Sequence, residues 1–427
     1  MRRWRGVRPT TATHGPGRVA SDIGVRLVRD RYHALERLRA RVGGGRWFEA
    51  RMLGRRALVV EGADGVRLFY DPRLVTRSGA IPAPVRLMLF GPGAVQGLSG
   101  EEHARRKQLF LDLVHRPAVE ELTRRVATRL EQAASAWALR GTIRLYDELA
   151  ELYGRAVIEW AGIAVDSHDA AAVTSDLAAM VDAFGLGGTP YLQGFRARAR
   201  ATRWARSIVR GVRDGTRPAP AGSVVAGIAG REDLDDTVAG VELLNVLRPT
   251  VAVAYFGAYA AQALSHAPEW RSRLASGTTA DLGAFEHEVR RCYPFVPLLA
   301  GRFVRAHTWQ GRRFGRRSWI VLDVLGTNLD PERWAGGSTF DPARFLRYEP
   351  DAFEYVPHGG GDPAQGHRCP GEPLAVGILE ETVRVLARLD FGIAAVDDTV
   401  PLDRMPSLPP HHMELRRVGR ERPHADV

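Results

Sequence analysis

The sequence is poor in cysteine: Cys292 and Cys369 are the only two in 427 residues. Two cysteines in so long a chain build no disulfide framework, which favours a reducing compartment and predicts a cytoplasmic protein. The N-terminus is basic but lacks the apolar segment of a signal peptide. The longest apolar run, residues 246–264, is interrupted by Arg248 and Pro249, so no membrane span is expected.

Lysine is also scarce, and arginine supplies almost all of the positive charge. The formal net charge is +11, and Lys107 is the only lysine. A basic chain can bind nucleic acid. Here, however, the arginines are scattered over amphipathic helical patterns such as residues 120–132 and 195–215, which is typical of solvated helix faces. We therefore expect no nucleic-acid partner.

The hydrophobic pattern predicts a helix-rich body with a small β portion. A helix capped by Ser21 comes first, and residues 47–60 resemble two short strands. From about Glu101 to Leu274, apolar residues recur at helical spacing. Short β-like segments follow Arg302, and a final strand is expected near the C-terminus. No repeat or linker divides the chain.

Cys369 is distinguished by its surroundings. It lies in FEYVPHGGGDPAQGHRCPGE and directly precedes a helical pattern, so we place it at a helix N-terminus with Pro370 in the first turn. The helix dipole favours a thiolate there, and glycines let backbone amides approach the sulfur. A thiolate is both a nucleophile and a metal ligand. A buried structural cysteine is the alternative, and spacing alone leaves both open.

The wider pattern resembles the haem-binding loop of the cytochrome P-450 superfamily: an aromatic residue, glycines, His/Arg, Cys and Gly. HEVRRCYPFVP supplies the superfamily's Glu-x-x-Arg pair as Glu288 and Arg291, about 80 residues earlier, and FDPARF lies between. Residues at this spacing can meet on a helix. The resemblance covers nearly the whole chain.

This resemblance implies the cytochrome P-450 fold, which is mainly α with small β-sheets and forms a triangular helical prism around a haem. Residues 1–427 would form a single haem-thiolate domain, disordered over the first ~18 residues and without a reductase domain. The cofactor would be haem b with Cys369 as axial ligand. Its thiolate would push electron density onto the iron and favour O–O cleavage.

The segment VELLNVLRPTVAVAYFGAYAAQAL corresponds to the helix over the distal haem face, but it lacks the acid–alcohol pair of conventional members. It contains Arg248 and Pro249 instead, followed by Thr250. Arginine stays charged in proteins, and burying it without an anion costs several kcal/mol. Three interpretations are open: a salt bridge with Glu242, a helix kink from which Arg248 reaches solvent, or an anion supplied by the substrate.

The Leu-Arg-Pro segment resembles the signature of the bacterial fatty-acid peroxygenases, a branch of the superfamily. Other stretches agree with it, namely AIPAPVRLMLFGPGAVQGLSGEEHARRK, EVRRCYPFVP, GTNLDPERW, GHRCPGE and RMPSLP. The resemblance implies hydroxylation of long-chain fatty acids at the α or β carbon, using hydrogen peroxide and no reductase, with minor decarboxylation to a terminal alkene. Arg248 would hold the carboxylate, which would act as general acid–base. Only the nearest carbons then reach the oxidant.

The same resemblance assigns supporting residues. Gln96 would line the distal pocket, where glutamine is common among hydroxylases. Contacts to the haem would come from Arg77, His103, Arg106, Lys107 and Arg368. The acyl channel would be lined by Phe90, Phe295, Val296 and Leu298. Exposed basic turns, a loop glutamine satisfied by backbone, and ordinary core side chains are the alternatives. Cys292 is expected to be buried and inert.

Two further functions remain open. A reductase-driven monooxygenase acting on another carboxylic acid or a secondary metabolite would suit the positive charge, since an acidic ferredoxin could dock there. A non-enzymatic haem-binding protein is the third class. Activity with peroxide alone separates the first interpretation from both.

Overall fold

The computed structural model describes residues 17–185, 187–394 and 398–420. The expectation of a disordered N-terminus falls largely on residues 1–16, which lie outside that part. The helices are α1 Ile23–Asp30, α2 His33–Ala40, α3 Gly62–Tyr70, α4 Ala83–Val85, α5 Gly100–Leu113, α6 Arg116–Arg140, α7 Leu145–Trp160, α8 Ser167–Asp182, α9 Gly188–Arg213, α10 Val224–Ala229, α11 Asp236–His266, α12 Pro268–Ala275, α13 Thr279–Cys292, α14 Val324–Asn328, α15 Ala343–Arg347 and α16 Glu372–Ala387.

The strands are short and form three sheets. They are β1 Arg18–Asp22, β2 Trp47–Met52, β3 Arg55–Val60, β4 Val75–Thr76, β5 Thr142–Arg144, β6 Leu298–Phe303, β7 His307–Trp309, β8 Arg312–Phe314, β9 Trp319–Asp323, β10 Leu389–Ile393 and β11 Glu414–Arg420. The largest sheet has the order β1-β2-β3-β9-β6-β4; a second has β10-β11-β5, and β7 pairs with β8. The predicted helix-rich body with small β-sheets is confirmed.

Helix α11 forms the centre of the molecule. It packs against α7, α9 and α16, and nearly all of its residues are buried. By length and composition it could cross a bilayer, but 83% of its apolar window is buried inside the protein, as in the core helix of a globular domain. The helix continues past Pro249, which has no N–H to donate to the carbonyl of Asn245.

Two predicted helix starts were wrong by a few residues. Helix α1 is capped by Asp22, whose carboxylate accepts from the N–H of Gly24, whereas Ser21 belongs to β1. Helix α16 starts at Glu372, so Pro370 lies in the preceding turn and Pro373 occupies the first turn. In both cases the residue type was right for a cap or a first turn, but a neighbour of equal propensity takes the position.

Candidate active site

Cys369 lies at the end of the glycine-rich loop, two residues before the N-cap of α16. Its backbone N–H donates to the carbonyl of His358 at 2.9 Å. Gly359 has a φ of +94°, and a Cβ there would come within 2.5 Å of the Tyr70 hydroxyl oxygen, so the loop needs glycine at this position. Burial raises the pKa of the Cys369 thiol. Its position alone therefore does not produce a thiolate, whereas a metal ion bound to the sulfur would.

A buried ion-pair network holds the cysteine loop against α13. The Arg290 guanidinium lies 2.6 Å from Glu286 and 2.8 Å from Glu372, and 3.1 Å from the ring of His358. Arg368 also binds Glu372, at 2.8 Å. Because these groups belong to the loop and to the start of α16, Arg290 ties the elements on either side of Cys369 to one helix. The sequence motif does not indicate Arg290, because only its neighbour Arg291 belongs to the Glu-x-x-Arg pair.

The predicted contact between Glu288 and Arg291 is present. The Arg291 guanidinium donates to both carboxylate oxygens of Glu288, at 2.7 and 2.8 Å, and to the carbonyls of Asn328 and Gly337. Arg344 completes the cluster at 3.2 Å from Glu288. Both members of the predicted pair are fully buried. The pair therefore connects α13 to the last residue of α14 and to the loop that precedes α15.

Four basic side chains converge on the other side of the cysteine loop. The rings of His103 and His367 lie 3.8 Å apart, and the Lys107 ammonium donates to the carbonyls of Gly366 and Arg368. Burial lowers the pKa of Lys107 to about 8 and that of His103 to about 4. In the described residues no carboxylate is ion-paired with Arg77, whose Nε and Nη1 are buried without a partner.

This basic cluster fits the two propionates of a haem. Buried cations without an anion are costly, and an orphaned guanidinium beside a cysteine loop is matched by a ligand that brings carboxylates. Three predicted contacts, Arg77, His103 and Lys107, lie in the cluster. Two others have protein partners: Arg368 binds Glu372, and Arg106 binds Glu242 on the distal side.

Arg248 is buried in α11, with 5% of the residue exposed. Its guanidinium donates to the carbonyl of Leu89 and lies over the ring of Phe90, 5.3 Å from the centroid. No carboxylate of the described chain lies within ion-pairing distance of it. Burial, with a smaller contribution from Arg198, lowers the pKa of Arg248 to about 9. The interpretation in which Arg248 reaches solvent is therefore wrong.

The salt bridge between Arg248 and Glu242 is absent as well. Glu242 is fully buried, and its carboxylate accepts from Arg106 at 2.6 Å, from Asn245 at 2.9 Å and from the N–H of Val95 at 2.9 Å. The acid nearest in sequence is thus occupied by other donors. Of the three interpretations of Arg248, these contacts leave open the one in which a ligand supplies the anion.

The remaining predicted residues lie in the turn at residues 95–97 and in the segment 295–298 that follows α13. Gln96 follows Val95, and its buried Oε1 has no partner among the described groups. Phe295 packs against Phe184, Tyr255 and Phe256, with ring centroids 5.5–5.9 Å apart. Val296 and Leu298 pack against the cores on the large sheet. No contact in the structure assigns these apolar residues to a channel.

Helix α11 connects the two halves of the site. Phe256 lies eight residues after Arg248, about 12 Å further along the helix axis, and its ring is 6.2 Å from that of His358 in the cysteine loop. Phe256 also contacts Phe295, at 5.6 Å. Helix α11 therefore carries the distal guanidinium and also contacts the cysteine loop.

Two polar residues of the site were missed. Asn245 donates to the carbonyl of Phe90 and to Glu242. Arg198 in α9 is buried and donates to the carbonyls of Leu89 and Phe90. The sequence does indicate that Arg198 is buried, because it follows Ala197 on a helix face of small residues that also contains Ala201 and Ala205. All four residues are buried.

Similarity to known proteins agrees with this geometry. No family model matches the chain. A tabersonine/lochnericine 19-hydroxylase of Catharanthus roseus is 32% identical over 126 residues, covering 27% of this chain and 24% of the plant protein. The match thus spans about a quarter of that relative.

Solved structures match over nearly the full length. Cytochrome P450SP alpha (CYP152B1), in complex with (R)-ibuprofen, is 35% identical with a TM-score of 0.88, covering 93% of this chain and 99% of that one. A variant of cytochrome P450 OleT in complex with arachidonic acid is 26% identical with a TM-score of 0.91, covering 96% and 100%. The chain therefore belongs to the cytochrome P-450 superfamily, in its bacterial fatty-acid peroxygenase branch.

Proposed function

We propose that this protein hydroxylates long-chain fatty acids at the α or β carbon with hydrogen peroxide and without a reductase, in the bacterial cytoplasm. The observation that carries the proposal is Arg248, a buried guanidinium with no carboxylate partner in the described chain. A fatty acid supplies the missing anion and places its first carbons beside it. Two solved relatives were crystallised with carboxylic acids, ibuprofen and arachidonic acid, which supports this substrate class.

Cys369 would hold the iron of haem b, and Arg77, His103 and Lys107 would hold its propionates. When bound, the haem supplies the oxidising centre on which peroxide is used. The network around Arg290 keeps the cysteine loop in place, because Glu372 and His358 lie on either side of the ligand in the chain.

The substrate carboxylate takes the part of the acid that α11 lacks. Held by Arg248, it accepts a proton from hydrogen peroxide and returns it to the departing oxygen. One oxygen atom is inserted into a C–H bond of the fatty acid, and the other leaves as water, so a fatty acid and hydrogen peroxide give a hydroxy acid and water. A pinned carboxylate leaves only the nearest carbons within reach, which limits attack to the α and β positions.

Gln96 and Pro249 complete the distal side. The unpartnered Oε1 of Gln96 is buried close to Val95, which contacts the α11 carboxylate of Glu242. We propose that this neutral amide favours hydroxylation as the main reaction, with decarboxylation as a minor one. Pro249 leaves the Asn245 carbonyl without its helical donor, so the backbone of α11 has an acceptor without a helical partner in the turn that contains Arg248.

The test is product analysis of the purified haem-loaded protein mixed with hydrogen peroxide and a series of saturated fatty acids, without reductase. We expect α- or β-hydroxy acids in excess of terminal alkenes. A strict requirement for reductase and ferredoxin would favour the reductase-driven alternative. Haem binding without turnover under either condition would favour a haem-binding protein. In both cases the proposed function would be wrong.

Arg248→Ala tests the role of the guanidinium. The variant should bind haem with the thiolate absorption signature and lose fatty-acid hydroxylation. Arg200→Ala is the matched control, because Arg200 is exposed on α9 and paired with Asp176. Short carboxylic acids should allow the wild type to oxidise substrates that lack a carboxylate, since they occupy the same anion position. Normal turnover of fatty acids by Arg248→Ala contradicts the assignment.

A further inference from the structure

Three side chains hold the backbone segment that carries Phe90. Arg198 donates to the carbonyl of Leu89 at 3.5 Å and to that of Phe90 at 3.0 Å, and Asn245 donates to the Phe90 carbonyl at 3.3 Å. Arg248 donates to the Leu89 carbonyl as well. These carbonyls end a helical turn at residues 86–90, where they lack helical partners. Two arginines from different helices therefore share one peptide oxygen.

The chain has a glycine at the point where Arg198 crosses this segment. Gly91 has a φ of +93°, and a Cβ at this position would lie 1.8 Å from the Arg198 guanidinium and 2.9 Å from Val241. Any other residue would force the guanidinium away from the carbonyls. The close approach of Arg198 to the backbone thus depends on two residues, Arg198 itself and Gly91.

Arg198 is a second buried cation without an anion. It is 5% exposed, its Nε has no partner in the part of the chain described, and no carboxylate is ion-paired with it. Burial lowers the pKa of Arg198 to about 10. Its Nη1 and Nη2 groups donate to the Leu89 and Phe90 carbonyls, so the guanidinium is committed to that backbone segment.

We propose that Arg198 is a positioning residue for the carboxylate site, because it fixes the Leu89 carbonyl against which the Arg248 guanidinium is oriented. This inference rests on the proposed function only in taking a fatty-acid carboxylate as the ligand of Arg248. Without Arg198, the Leu89–Phe90 segment is held on one side only, and Arg248 loses both its fixed acceptor and the aromatic ring beneath it. Arg198 itself does not touch the anion.

The experiment measures ligand binding to the holoenzyme by calorimetry, without peroxide. The probes are dodecanoate and dodecan-1-ol, which share an acyl chain and differ in charge. Arg198→Gln should weaken dodecanoate binding by about tenfold or more, as expected when a charge-assisted contact is lost, and leave dodecanol binding unchanged. Arg200→Gln on the exposed side of α9 is the control and should bind both as the wild type does.

A second comparison separates positioning from direct binding. In an Arg248→Ala background, Arg198→Gln should add no further loss of dodecanoate affinity, because Arg198 acts through Arg248. An equal loss in both backgrounds means that Arg198 binds the anion itself and overturns the proposal. Equal weakening of acid and alcohol, or no weakening of either, overturns it too.

A conservative variant covers the case in which Arg198→Gln does not fold. Arg198→Lys keeps the charge but offers one ammonium where two guanidinium nitrogens reached two carbonyls. It should give an intermediate loss for dodecanoate and none for dodecanol; wild-type affinity for dodecanoate would contradict positioning. The binding measurement contains no peroxide and therefore does not depend on turnover. A protein that binds the acid as expected but does not hydroxylate it in the product assay contradicts the proposed function and leaves the role of Arg198 intact.

Discussion

Arg106 and Glu242 form a buried ion pair, with 2.6 Å between guanidinium nitrogen and carboxylate oxygen. Glu242 lies six residues before Arg248 on α11, yet its carboxylate is ion-paired with Arg106 of α5 and accepts from the backbone N–H of Val95 and the side-chain amide of Asn245. With Glu242 paired in this way, no carboxylate in the described part of the chain lies within ion-pairing distance of Arg248. The distal site consequently has a net positive charge that an incoming carboxylate can neutralise.

Arg106→Gln should destabilise the protein and weaken fatty-acid binding. Removing one partner of a buried pair leaves the other uncompensated, at about 3–5 kcal/mol, and the unpaired Glu242 would oppose a second carboxylate nearby. Thermal unfolding and calorimetric titration with dodecanoate measure the two effects. Arg105→Gln, an exposed neighbour, should change neither. Wild-type affinity in Arg106→Gln would mean that Glu242 does not influence the anion site.

Arg248→Met should stabilise the ligand-free protein. The substitution removes a buried charge without an anion and keeps an unbranched side chain of similar length, so we expect a gain of about 1 kcal/mol in the free energy of unfolding. The same variant should gain no stability from dodecanoate, whereas the wild type should gain it by mass action. Scanning calorimetry with and without the acid measures both. A less stable ligand-free variant would contradict an uncompensated charge.

Arg290→Gln and Arg291→Gln should have different consequences, although the residues are neighbours. Arg290 binds Glu372 and His358 beside the cysteine loop, so its loss should reduce haem retention and the thiolate absorption signature while far-UV circular dichroism stays near that of the wild type. Arg291 binds Glu288 and distant carbonyls, so its loss should lower the unfolding temperature of the whole domain.

The control for this comparison is Arg384→Gln on the outer part of α16. It should leave haem retention and stability unchanged. If Arg290→Gln and Arg291→Gln lose the same amount of haem for the same drop in unfolding temperature, the two arginines do not have different roles.

How far the sequence predicts the site depends on what kind of contact is involved. Local patterns sufficed for the helical character of the α11 segment. The family resemblance singled out Glu288 and Arg291, whose spacing allows a contact on one helix. The family resemblance supplied Cys369 and Arg248. The sequence does not predict the partner of Glu242, because Arg106 belongs to α5 and lies 136 residues earlier in the chain. The turn at residues 95–97 also contacts Glu242, through the N–H of Val95.

Arg198 shows a different limit. The segment 195–215 contains arginines at many phases of the helix, and most of them are solvated. Composition predicts that these arginines are exposed, which is correct for most of them. It does not distinguish Arg198, which lies on the buried face of Ala197 and Ala201. A helical wheel gives the direction of Arg198, but only the fold places the Leu89 and Phe90 carbonyls in front of it.

A cluster of acids around Arg39 gives a pH-dependent prediction. The carboxylates of Glu61 and Asp323 both bind Arg39, at 2.8 and 2.7 Å, and Asp330 binds Arg46. Burial, opposed by Arg39 and assisted by Asp323 and Asp330, raises the pKa of Glu61 from 4.5 to about 7. The folded protein therefore holds this proton more tightly than the unfolded chain does.

Glu61→Gln should accordingly stabilise the protein at pH 8 and change little at pH 5. Stability linked to Glu61 is fully present below pH 4.5 and is lost as the pH rises through about 7. An uncharged amide avoids this loss, so the free energy of unfolding at pH 8 should rise by up to about 3 kcal/mol. Asp323 keeps its ion pair with Arg39. Unfolding temperatures at the two pH values measure the difference. Glu332→Gln, an exposed partner of Arg46, serves as the control; a Glu61→Gln effect of the same size at both pH values would place the cost in packing and not in ionisation.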